Sequence, residues 1–154
     1  MAHDDNAAPR DPSGCSPDEL IDLLTVGARF GGRPTMQAAV HLLTFTAFPH
    51  QHDAVSMLEF DNDDDTDAPV TAAFVRDWPT VESIAVARRW GTGAQRLVAL
   101  AVSLASGEPV DLRDAVVAGG HAHARRVIEA MAIATGHDEM HALTPTATLD
   151  QLIG

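Results

Sequence analysis

Between Thr92 and Gly136 the chain is built almost wholly from Ala, Val, Leu, Ile and Gly, and glycine marks each change of direction: Gly91 and Gly93, Gly107, Gly119 and Gly120, Gly136. This spacing predicts helix, stop, short helix, stop, helix. In the first of these helices, expected over residues 94–106 and ended by Gly107 and Pro109, the stretch Leu97 to Leu104 holds Ser103 as its one polar side chain. A helix apolar on every face has no side to turn to water. It must run through a domain interior or form half of a subunit contact. The rest of the chain has to be arranged around it.

A chain of 154 residues can supply that cover, since a domain of this size buries roughly 70% of its extended-chain surface without help from disulfides or a structural metal. The expected organisation is a flexible N-terminal tail over residues 1–15, holding Pro9, Pro12, Gly14 and three Asp, followed by a single globular domain over residues 16–154. No apolar run reaches the ~18 residues that would mark a membrane span. Met1 to Gly14 is polar and acidic rather than basic then apolar, so a cytoplasmic protein is expected. The lone Cys15 fits a reducing compartment.

Ser16, Pro17, Asp18 and Glu19 spell a capping box with proline at the first helical position. The helix they open carries Leu20, Leu23, Leu24 and Gly27 on one stripe, with Ile21 and Ala28 beside it, and stops at Gly31 and Gly32. A second helix runs from Pro34 to about Thr46, with Met36, Val40 and Leu43 at helical spacing. Ala54 to Phe60 and Val70 to Trp78 read as strands. In the second strand Val70, Ala72, Phe74 and Trp78 are expected on the core side, with Arg76 the misfit. Thr80 caps a helix to Trp90, and Asp111 caps a short one to Ala118. The last long helix, residues 121–135, is expected to turn Ala124, Val127, Ile128, Met131 and Ala134 or Thr135 inward and Arg125, Arg126 and Glu129 to water. A final turn is possible at Leu149 to Ile153.

The fold class is therefore α+β and predominantly α-helical, with about six helices around a small antiparallel two-stranded ribbon. Helices 94–106 and 121–135, lined with Ala and Val, are expected to pack on each other at the close end of the usual ~8–10 Å range.

The net charge of −12 is uneven. Residues 1–77 hold 4 Arg and 14 acids, a net of −10, whereas residues 78–154 hold 6 Arg and 8 acids, a net of −2. Such a field repels nucleic acid and anionic membrane at long range. Within it, Arg88 to Arg126 is locally basic, with 6 Arg against Glu108, Asp111 and Asp114. The short helix, glycine turn and longer helix in that region have a helix-turn-helix outline. Arg88, Arg89, Arg96, Arg125 and Arg126 are thus candidate contacts to DNA or another anion. The two glycines in the turn, and Arg125 where such motifs want an apolar residue, weigh against it. Gly91, Thr92 and Gly93 with Arg96 could cradle an anion at a helix start, but no strand precedes them, which excludes a dinucleotide-binding loop.

The run Asp61-Asn62-Asp63-Asp64-Asp65-Thr66-Asp67 departs from a calcium loop where it counts, with Thr66 at the turn glycine and Ala72 at the bidentate acid. It reads as a solvated hairpin loop. Among the 8 His, His137 and His141 lie four apart, His121 and His123 two apart, and His50 and His52 flank a turn. Spacing of this kind without cysteines is a weak metal signal. His41 reads as an ordinary helix-face histidine. No Ser-His-Asp arrangement, nucleophile elbow, phosphate loop or cysteine pair is present, so no catalytic residue, metal or cofactor is assigned.

The leading functional expectation is a small acidic, non-enzymatic interaction or regulatory protein that self-associates as a homodimer through its Ala-rich helices. Its motive is apolar surplus: Ile133 falls near the polar side of the last helix, and the helix before it needs cover all round. The alternatives are a helix-turn-helix-like DNA-binding protein using the Arg88 to Arg126 region and a metal-dependent enzyme built on its histidines. A membrane is not expected as a partner.

Overall fold

The helix without a polar side is buried as expected. In the computed structural model, which describes residues 12–61, 70–117 and 119–153, it spans Thr92–Ser106 (α4), and Leu97, Val98, Leu100, Ala101 and Val102 are sealed from solvent. It ends at Gly107, whose backbone is left-handed and whose N–H closes on the Ser103 carbonyl. Around it the described residues form seven α-helices and one two-stranded antiparallel sheet, an α+β, predominantly helical fold. Along the chain these are α1 (Pro17–Phe30), α2 (Pro34–Leu43), β1 (Leu58–Phe60), β2 (Ala73–Val75), α3 (Trp78–Ala87), α4, α5 (Leu112–Ala115), α6 (His121–Ala134) and α7 (Ala147–Ile153). Among the described residues, no helix is long and apolar enough to cross a membrane.

The hub is α2. Ala38, Ala39, Val40, Leu42 and Leu43 are all buried, and this helix packs on α1, α4 and α6. That corrects the expected direct packing of the two Ala-rich helices: α4 and α6 touch sparsely, and α2 joins them. The adjacent alanines of α2, Ala38 and Ala39, let both neighbours approach it closely. Where α4 and α6 do meet, Gly93 leaves room for the His123 ring; a Cβ there would lie 3.0 Å from His123 Nε2.

The capping box opens α1: Ser16 Oγ accepts from the Glu19 N–H at 3.2 Å, and the Glu19 carboxylate accepts from the Ser16 N–H at 2.8 Å. At Gly27 the helix lies directly against β2. A Cβ there would stand 3.0 Å from the Ala73 carbonyl carbon and closer still to its oxygen. Ala73 and Val75 point to the core and Phe74 points out, 36% exposed, beside the Phe30 ring at 6.2 Å. Ala72 and Trp78 are buried as expected, but within β2 the facing is opposite to the expectation: Phe74, expected on the core side, lies along α1, its Cε1 3.3 Å from where a Gly27 Cβ would stand. β1 and β2 pair Leu58 with Val75, Glu59 with Phe74 and Phe60 with Ala73.

Several boundaries move for local reasons. α2 stops at Leu43, short of Thr46: Thr44 Oγ1 donates back to the Val40 carbonyl (2.9 Å), Thr46 Oγ1 to that of Leu43 (2.6 Å), and a buried 3₁₀ turn, Phe48–His50, follows. Ala54–Met57 is a 3₁₀ turn rather than strand. Asp77 caps α3 through the Thr80 N–H and hydroxyl, so Trp78 begins a helix instead of ending a strand. α3 ends at Ala87, and Arg89 takes a left-handed conformation (φ 52°) in the turn that follows. α5 stops at Ala115. Of the expected tail, Pro12–Gly14 form one 3₁₀ turn and Cys15 packs partly on the core. Residues 1–11, the acidic stretch 62–69 and Ala118 lie outside the described residues.

The largest correction concerns α6. Val127 and Ala130 are its buried residues, and Ile133 and Ala134 pack partly on the core. Ile128 (52%) and Met131 (36%) are exposed, whereas Arg126 and Glu129, expected to face water, turn toward α2. The helix is rotated by about one residue, or ~100°, from the expected setting.

Candidate functional site

Rotating α6 in this way builds a polar seam between two helices. His41 on α2 and Thr44, which caps the end of that helix three residues on, lie opposite Arg126 and Glu129, which stand three apart on α6, so each pair shares one face. His41 Nε2 meets Glu129 Oε2 at 2.8 Å. Arg126 Nε donates to the His41 carbonyl at 2.8 Å, and its Nη2 approaches Thr44 Oγ1 at 3.4 Å. Thr44 can accept there because its own proton is directed at the Val40 carbonyl. The guanidinium also lies 5.2 Å from the centre of the Phe45 ring, which His123 meets edge-on at 5.4 Å.

Burial, helped by the Arg126 charge, holds the His41 pKa below its ordinary value against the pull of Glu129, so the ring is neutral near pH 7. A neutral ring bonded to a carboxylate through Nε2 carries its proton on that atom. Burial pushes Glu129 up, but its hydrogen bonds from Arg125 (2.8 Å) and His41 outweigh this and keep it ionised. Burial lowers the Arg126 pKa without discharging it. With His41 neutral, the seam holds two guanidinium groups against one carboxylate and is net positive.

The seam opens into a cleft of about 200 Å³ between α1, α2 and α6. Ile21, Ala28, Val40 and Ile133 give it an apolar lining. Arg29, Gln37, His41 and Arg126 bring polar groups to it, and Asp138, after α6, stands at its edge. Arg126 Nη1 stays 3.9 Å from Glu129, beyond hydrogen-bond reach, so donors remain for the cleft.

The residues singled out by charge are dispersed among different partners. Arg88 grips Asp53 with both amino groups, at 2.7 and 2.6 Å, and adds Gln51 at 2.9 Å. The hydrogen bonds from Arg88 hold the Asp53 carboxyl down to about 2. Arg89 is exposed in its turn, and Arg96 donates to the Val117 carbonyl. Arg125 and Arg126 converge on Glu129. Among the histidines, His50, His52 and His121 are exposed, His123 lies on Gly93 and Phe45, and His137 stacks on His141 at 6.3 Å. No group of three or more His, Cys, Asp or Glu able to hold a metal ion occurs among the described residues.

His41 and Glu129 were not singled out by sequence pattern. The available signal was a histidine one turn after Gln37 on a helix otherwise rich in apolar residues, and an Arg and a Glu three apart on a helix with apolar residues on both sides of them. The outer face of α6 shows the complement. Ala124, Ile128, Met131 and Thr135, spaced four, three and four, form an exposed stripe. Compared with protein-family models, curated proteins and solved structures, the chain matches none.

Proposed function

We propose that this protein is a small non-enzymatic interaction protein that self-associates through the outer face of α6. One observation carries the reading: Ile128 is 52% exposed while Arg126 and Glu129 of the same helix face inward. A surface helix ordinarily does the reverse. The 4-3-4 spacing of Ala124, Ile128, Met131 and Thr135 is that of a two-helix seam, in which each side chain fits between side chains of the facing helix.

A second copy is the occupant that suits this stripe. The stripe is short, uncharged and self-complementary, so a two-fold axis across α6 sets Ile128 and Met131 of one copy against those of the other, with the helix dipoles opposed. The half of the chain that bears it is near neutral, at −2, while the acidic surplus sits in residues 1–77. Repulsion between copies is therefore weakest where they would meet. A cytoplasmic setting fits a chain whose single cysteine cannot form an intrachain disulfide.

Sedimentation velocity across micromolar concentrations tests this. The wild-type chain should shift from monomer to dimer, and Ile128→Glu should remain monomeric with an unchanged circular dichroism spectrum and melting temperature at low concentration. A wild-type chain that stays monomeric throughout, or an Ile128→Glu variant that dimerises equally well, refutes it.

A further inference from the structure

We infer that the cleft between α1, α2 and α6 is a binding site for a small organic carboxylate with an apolar body. At about 200 Å³ the cleft has the volume of roughly seven waters, which suits a ligand of about that many non-hydrogen atoms. Its chemistry is divided. Ile21, Ala28, Val40 and Ile133 offer hydrocarbon to a ligand's body, which disfavours a bare inorganic anion.

The polar side offers donors more than acceptors. Thr25 and Thr44 spend their hydroxyl protons on the Ile21 and Val40 carbonyls, at 2.8 and 2.9 Å, so neither hydroxyl is the anion's anchor. The groups left to donate are Arg126 Nη1 and the side chains of Arg29 and Gln37, which make no hydrogen bond among the described residues. Arg126 is half-buried and held in place by the His41 carbonyl, Thr44 and the Phe45 ring, so its fork is oriented before any ligand arrives. A guanidinium fork matches a carboxylate with two parallel hydrogen bonds. Asp138 at the edge limits the positive charge, which favours one carboxylate over a doubly charged phosphate.

The test uses hexanoate, with hexanol and hexylammonium as probes of the same body and different charge. Methyl resonances of Ala28, Val40 and Ile133 are followed by NMR on the full chain during titration. The expected result is saturable movement with hexanoate, at least fivefold weaker binding of both controls, and at least fivefold weaker hexanoate binding in Arg29→Gln and Arg126→Gln. Arg29 is exposed, so Arg29→Gln keeps the test decisive if Arg126→Gln fails to fold. Hexanol or hexylammonium binding as tightly as hexanoate, shifts that do not saturate, or unchanged affinity in Arg29→Gln overturns the proposal. Monomeric Ile128→Glu protein should bind hexanoate normally, which separates this outcome from that of self-association.

Discussion

Replacing Gly27 with alanine should destabilise the fold far more than a methyl group suggests. Gly27 lies inside α1, where alanine is ordinarily better by about 1 kcal/mol. The obstacle is the backbone of β2: the new Cβ would stand 3.0 Å from the Ala73 carbonyl carbon, nearer to its oxygen, and 3.3 Å from Phe74 Cε1. A carbonyl oxygen cannot rotate away as a side chain can. Either α1 retreats by about 1 Å, opening gaps beside Leu24 and Ala28, or β2 shifts and strains its three-residue pairing with β1. Overpacking of this kind costs about 1–3 kcal/mol, and a backbone clash belongs at the upper end. Less the propensity gain, the net loss should be about 2 kcal/mol. For a chain of this length that lowers the melting temperature by roughly 4–8 °C. Urea denaturation followed by circular dichroism measures it, with Gly31→Ala as control: Gly31 has an ordinary helical backbone and open space around it, so that variant should stay within about 0.5 kcal/mol of wild type. If Gly27→Ala proves as stable as the parent, the close approach of α1 to β2 is not a feature of the folded protein.

Two further outcomes follow from local chemistry. Ser16→Ala removes the acceptor for the Glu19 N–H and should cost about 1 kcal/mol in the same urea assay; no change in midpoint would mean that the capping box does not stabilise α1. His41 has a folded-state pKa below its ordinary 6.5, so as pH falls the unfolded chain takes up a proton more readily than the folded one. The contribution is complete above about pH 6.5 and is lost as pH falls through the lower folded value. Urea midpoints should therefore drop as the pH falls below about 6.5, and drop less in His41→Gln; equal drops would show that the ring is not held neutral.

What was legible in the chain was whatever is decided within a few residues, or by the complete absence of a polar side. Ser16 and Glu19 satisfy each other's backbone across one helical turn, so the start of α1 follows from four letters. Leu97 to Leu104 offer water no polar face, so α4 is interior under any arrangement of its neighbours. The ribbon, too, followed from two short strand-like stretches, though its length and facing did not.

Tertiary structure decided what depends on a distant partner. α6 carries two possible inner faces that share Val127, one continuing through Ile128 and Met131, the other through Ala130 and Ile133. By periodicity alone the first is the better, since choosing the second turns Arg126 and Glu129 inward. That choice becomes favourable because α2 presents the His41 ring, the His41 carbonyl and the Thr44 oxygen to both groups, so neither is buried without hydrogen bonds. The facing of β2 likewise emerged only in the fold, where Gly27, more than forty positions earlier, meets the Ala73 backbone and the Phe74 ring settles beside Phe30. Hydrophobic burial ranks faces by area and is blind to direction; hydrogen bonding and close contact are directional, and their partners here meet only once the helices have packed.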